Sequence, residues 1–123
     1  MNDTGKKGEE IACRWLENEG HTIIERNWRA NHKEIDIISI KDFCLHIVEV
    51  KSKCAPITAD PVLNVNKKKQ QNLTNAAKAY LNSAKRHNLP QNLEIVFDVI
   101  SIVFEQDKTT LEYYPQAYIP TYV

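Results

Sequence analysis

Residues 34–51, EIDIISIKDFCLHIVEVK, constrain this chain more than any other stretch. Two runs, Glu34 to Ile40 (EIDIISI) and Leu45 to Lys51 (LHIVEVK), are rich in β-branched residues and short, which predicts strands, and Lys41 to Cys44 between them predicts a hairpin loop. Side chains alternate along a strand, so Glu34 and Asp36 share one face of the first and Glu49 and Lys51 one face of the second. A loop at Lys41 to Cys44 makes the numbers of opposed partners sum to 85, setting Asp36 against Glu49 and Glu34 against Lys51.

Around this hairpin the chain alternates helix and strand. Ile11, Ala12, Trp15 and Leu16 recur at helical spacing between Thr4 and Gly20, with Gly20 placed as a C-cap, so an amphipathic helix is expected to pack on a sheet. His21 to Trp28 (HTIIERNW) reads as a strand. Cys54 to Asn64, with two prolines and no periodicity, reads as a loop. A long helix follows, carried by Lys69, Leu73, Ala76, Ala77, Tyr80, Leu81 and Ala84, capped by Asn64 or Asn66 and stopped at Asn88-Leu89-Pro90. Leu93 to Phe104 is apolar on both alternating faces except at Asp98, as a central strand covered on both sides would be, and a short strand is expected near Leu111 to Tyr114. The order α, β, β, β, α, β with a C-terminal extension belongs to one α/β unit.

At 123 residues and 42% hydrophobic content the chain has the size of one domain, 1–123, able to bury a core without staples. It lacks an apolar run of about eighteen residues, and MNDTGKKGEE lacks the apolar stretch of a secretory leader, so a cytoplasmic protein with no membrane partner is expected. Cys13, Cys44 and Cys54 are odd in number and match no zinc or CxxC spacing, which argues for reduced thiols. Lys plus Arg equals Asp plus Glu at 16 each, so no overall positive field attracts a polyanion. The distribution is uneven: Pro61 to Leu93 holds six basic residues and no acid, whereas Glu94 onward holds five acids and only Lys108.

Two carboxylates facing each other on neighbouring strands, with Cβ atoms about 5 Å apart, repel unless a cation sits between them. A hard divalent ion such as magnesium takes one or two carboxylates together with waters and phosphate oxygens. Lys51, on the same face as Glu49, would project its ammonium beside that ion. Phosphodiester hydrolysis uses this combination: an ion-activated water, charge neutralisation at phosphorus, and a nearby cation or proton source. His21, His32, His46 and His87 show neither ligand spacing nor a nearby nucleophile pattern, and Trp15 and Trp28 sit in apolar surroundings that suit a core.

Six segments, GKKGEEIACRWLENEG, IIERNWR, KEIDIISI, HIVEVKSK, VNKKKQQNLTNAAKAYL and FDVISI, resemble in order and spacing the YraN-like predicted endonucleases, relatives of Holliday-junction resolvases within the PD-(D/E)xK superfamily. The resemblance implies a restriction-endonuclease-like core, with a mixed central sheet flanked by helices. It aligns Asp36 with the motif Asp, Glu49 and Lys51 with the (D/E)xK pair, and Glu9 with a helical Glu that completes the site in resolvases. Glu9 is equally well explained as an acidic residue favoured by the helix dipole. Lys69 and Gln70 match the family's Lys-Gln pair at the start of the long helix, and with Lys53 they are the expected nucleic-acid contacts; Lys67 and Lys68 are expected to be solvated.

This chain departs from the family in two places. Lys33 stands where the family has Gly, and Val96 stands where it has Arg before Phe-Asp; Asp98 is expected to be structural, bonded to a helix N-terminus or to Lys69. The implied activity is that of a Mg2+- or Mn2+-dependent endonuclease acting on branched or structured DNA rather than RNA, as a homodimer by analogy with resolvases. The alternative is a non-catalytic nucleic-acid-binding module that retains the fold.

Overall fold

Ile11, Ala12, Trp15 and Leu16 form the apolar side of α1 (Asp3–Asn18), which ends at Gly20. Gly20 adopts φ 97°, a conformation other residues resist, while its N–H reaches the Glu17 carbonyl at 3.1 Å and the His21 N–H reaches that of Leu16 at 2.9 Å. These paired bonds satisfy the last carbonyls of the helix and turn the chain into the sheet. The structure, a computed structural model, describes residues 3–55, 67–83, 88–90 and 92–117. The expected loop after Ala55 and the caps at Asn64 or Asn66 lie outside them.

After α1 come β1 (Thr22–Ala30), β2 (Lys33–Lys41), β3 (Cys44–Cys54), α2 (Lys67–Leu81), β4 (Glu94–Phe104) and β5 (Thr109–Tyr114). The strands form one sheet in sequential order, antiparallel except for the parallel pair β3 and β4. A parallel pair needs a crossover, and the segment carrying α2 supplies it. The α/β architecture with a five-stranded mixed sheet between two helices is that of a restriction-endonuclease-like core. Among the described residues no helix is long and apolar enough to cross a membrane.

Each helix covers one face. Ala12, Cys13 and Leu16 of α1 pack on Ile37, Val48, Ile100 and Ile102, while Leu73, Ala76, Ala77 and Tyr80 of α2 pack on Ile35, Ile38, Leu45, Ile47 and Phe97. Burying each of the Ile, Leu and Val side chains contributes about 1.5–3 kcal/mol, so the two layers fix the sheet's register. Trp15 and Trp28 pack at the margins of these clusters, as their surroundings predicted.

Three details differ from the sequence expectation. The loop between β2 and β3 is only Asp42 and Phe43, both at positive φ (51° and 61°), and Lys41 pairs with Cys44 within the strands. Asp98 is fully buried on the α1 face, where it accepts hydrogen bonds from His46 Nδ1 at 2.6 Å, the Tyr113 hydroxyl at 2.7 Å and the Gln116 N–H at 2.9 Å. Its partners are therefore strand side chains and a turn amide, not a helix N-terminus or Lys69, because the parallel register that aligns Val48 with Asp98 brings His46 beside it.

The third difference is a fork. β2 and β3 follow the expected register from Lys41↔Cys44 to Ile37↔Val48, and there their ladder ends. Lys33, Glu34 and Ile35 keep only the β1 partners that line the other edge of β2 throughout, Ala30, Arg29 and Trp28, while Glu49 to Cys54 run on beside β4. Glu34 meets its β1 partner Arg29, at 3.3 Å, and not Lys51. Alternation breaks at the same point. Ile37 packs under α1 but Ile35 under α2, next to Asn27 of β1, whose φ of 52° turns its own strand.

Candidate metal centre at the fork of β2 and β3

Asp36 stands where the two strands part. Its Oδ2 accepts the Val50 N–H at 2.9 Å, so the carboxylate takes the place that a β2 carbonyl would fill had the ladder continued. This bond aims the side chain across the fork toward Glu49, the next residue of β3 after the last ladder pair. Glu49 is 7% exposed and ion-paired with the Lys69 ammonium from the first turns of α2. Asp36, Glu49, Lys69, Glu34 and Lys33 line one open cavity of about 450 Å³, closed on the helix side by Lys68, Asn72 and Leu73.

The neighbouring carboxylates disfavour the charge of Asp36. Burial, reinforced by the negative charges of Glu49, Glu9 and Glu34, pushes Asp36 up to about 7 against the pull of the Val50 N–H. The influence of Glu9 follows from how closely α1 approaches β3. A Cβ on Gly8 would lie 1.8 Å from Ser52 Oγ, so only glycine lets the helix come this near, and Glu9 is carried in with it. On Lys69, burial acts to lower the ammonium's pKa, yet the hydrogen bond and charge of Glu49 and the charge of Asp36 prevail and raise it.

Hard oxygen donors, mutual repulsion and an open cavity fit a magnesium or manganese ion that keeps several waters. Among the described residues no three His, Cys, Asp or Glu side chains stand together to cage a metal, so Asp36 and Glu49 would be the protein's share of the ligands. That set leaves positions for water and phosphate oxygen, which a catalytic site needs and a structural site does not. The other expected residues lie at varying distance. Lys51 sits two residues along β3, paired with Ser101 of β4, and does not line the cavity. Gln70 is half-buried on α2, its carbonyl accepting the Thr74 hydroxyl at 2.9 Å, and Lys53 is exposed beyond Lys51.

The cavity also has walls that sequence reasoning passed over. Lys33 and His32 border it from the turn between β1 and β2, and Lys68 and Asn72 from α2. The helical spacing of 68, 69, 72 and 73 was a usable signal, since residues three and four apart share a face. Nothing in the sequence placed the β1–β2 turn opposite that face.

A family model described as "Uncharacterised protein family UPF0102" matches residues 8–102. A UPF0102 protein of Clostridium perfringens (strain 13 / Type A) is 40% identical over 108 residues, covering 88% of this chain and 85% of the relative. One from Flavobacterium johnsoniae is 32% identical over 117 residues, covering 95% and 94%. A third, from Treponema pallidum, is 38% identical over 117 residues, covering 93% and 90%. Matched over nearly its whole length, the chain belongs to the UPF0102 family, the YraN family that its sequence segments resemble.

Proposed function

We propose that this protein is a metal-dependent endonuclease that hydrolyses phosphodiester bonds in branched or otherwise structured DNA, with Mg2+ or Mn2+ as cofactor. The observation that carries the reading is the fork itself. The β2–β3 ladder ends at Ile37↔Val48, and just past it Asp36, held by the Val50 N–H, and Glu49 line the same open cavity. In this reading Asp36 and Glu49 would hold the ion, whose chemistry would be to activate a water and neutralise charge on the phosphate. Lys51, two residues along β3 from Glu49 and outside the cavity wall, would reach in to orient that water or stabilise the developing charge, and Glu9 adds negative potential near Asp36. Lys69, Gln70 and Lys53 grip the backbone. A symmetric homodimer, in which two sites address two strands, extends the resolvase analogy.

One observation favours a second reading, a non-catalytic module that binds nucleic acid through the same face. Glu49 already has a cation in Lys69, so part of the charge is balanced by the protein itself. The two readings separate on cleavage of junction, flap, single-stranded and duplex DNA with magnesium or manganese. The nuclease reading expects cutting that chelation stops and that Lys51→Ala abolishes. Salt-sensitive binding with no such cutting on any substrate overturns it in favour of the module.

A further inference from the structure

The cavity beneath Asp36 and Glu49 does not end at Glu34. A second cavity of about 280 Å³, under the turn between β1 and β2, shares His32, Lys33 and Glu34 with it and extends to Arg29. Together they make one groove running from the carboxylates to that turn. Basic side chains stand on both walls, Arg29 and Lys33 on the turn side, Lys68 and Lys69 on the helix side. Arg29 is held by Glu34 at 3.3 Å and Lys69 by Glu49. Lys33 and Lys68 have no ion pair among the described residues, although three acids share their groove.

Cations left without a carboxylate at the two rims of a groove suit an anionic ligand that lies along it. We infer that the groove binds the sugar-phosphate backbone of one nucleic-acid strand, with Lys33 and Lys68 contacting phosphates on opposite rims, beside the bond presented to Asp36 and Glu49. Cavities of about 450 and 280 Å³ are on the scale of small-ligand pockets, room for a nucleotide or two of a single strand to lie within them. The substrate would then be a strand unpaired on at least one side of the contacted phosphates, as at a flap, a junction or an end. Where the cut falls rests on the nuclease reading above; the binding does not.

The test is fluorescence anisotropy with a fluorescein-labelled oligothymidylate and a labelled duplex of equal length, titrated across a range of salt with Ca2+ held constant. Lys33→Ala and Lys68→Ala are compared with wild type, and Lys108→Ala, on the turn between β4 and β5, serves as control. Each groove variant is expected to weaken single-strand binding and to flatten the slope of log K against log salt by about 0.7, the value for one phosphate contact on a single strand. Lys108→Ala should leave the slope unchanged, and the single strand should bind more tightly than the duplex. Unchanged slopes in both groove variants, or tighter binding of the duplex, overturn the inference. Metal-dependent cutting with unchanged slopes would remove the groove but leave the nuclease; flattened slopes without cutting would do the reverse.

Discussion

His21 is 7% exposed, its Nδ1 lies 2.8 Å from the Ser39 hydroxyl, and its ring meets that of His46 edge-on with centroids 4.5 Å apart. Burial, together with the charges of His46 and Lys41, lowers its pKa from 6.5 to about 4. As pH falls, the unfolded chain therefore takes up this proton first. The stability His21 confers is complete above 6.5 and is lost between 6.5 and about 4. Asp36, raised to about 7, gains stability as pH falls over the same range in every chain that keeps it, so the test is a comparison between chains. From about pH 7.5 to about pH 5 the urea midpoint of wild type is expected to change less favourably than that of His21→Gln. An equal change in the variant would assign the acid sensitivity elsewhere. Asp98 adds a second loss at lower pH. Burial raises its pKa, but the hydrogen bonds from His46, the Gln116 N–H and Tyr113 overcome this and hold it below 3.8, so its contribution is present above 3.8 and disappears as pH falls through the folded value. Phe43 offers a change in the opposite direction. It is 74% exposed at φ 61°, a conformation costing a non-glycine residue about 1–2 kcal/mol, so Phe43→Gly is expected to raise stability by about 1 kcal/mol in the same assay.

At the scale of elements, α1 is positioned by its contact with β3. Alanine at position 8 would favour the helix by about 1 kcal/mol on propensity alone, yet its Cβ would lie 1.8 Å from Ser52 Oγ and 3.0 Å from Ser52 Cβ. Gly8→Ala is therefore expected to destabilise the protein by about 1–3 kcal/mol, as overpacked contacts do, and Ser52→Gly in the same chain to restore most of the loss. Thermal unfolding of the single and double variants measures both; a Gly8→Ala variant as stable as wild type would mean that the helix can shift freely. Element type was legible because EIDIISI and LHIVEVK alternate as strands and Ile11, Ala12, Trp15 and Leu16 recur as a helix. The register of β2 on β3 was legible too, since a symmetric loop fixes it. The fork was not, because residues 33–36 have the same β-forming character as 37–41, and the sequence carries no signal that the ladder with β3 stops at Ile37↔Val48. The His46–Asp98 pair was hidden for a related reason, because it spans 52 residues and depends on the parallel register across α2.

For the whole molecule, a net charge of zero says little about partners, because the fold sorts the charges that the sum conceals. The antiparallel hairpin brings Asp36 and Glu49 to one opening, and the α2 crossover lays Lys68 and Lys69 across it. The carboxylates and Lys69 could be picked out from residue types and family resemblance, whereas Lys33 and Lys68 emerged only when the turn and the helix were seen to face the same groove. The account stands on a divalent ion shared by two side chains, and calorimetric titration of Mn2+ into the protein tests this most directly. Wild type is expected to bind one ion per chain, while Asp36→Asn and Glu49→Gln each weaken binding by about tenfold or more and circular dichroism shows all three folded. Absence of saturable binding in wild type, or binding that neither substitution alters, would contradict the account.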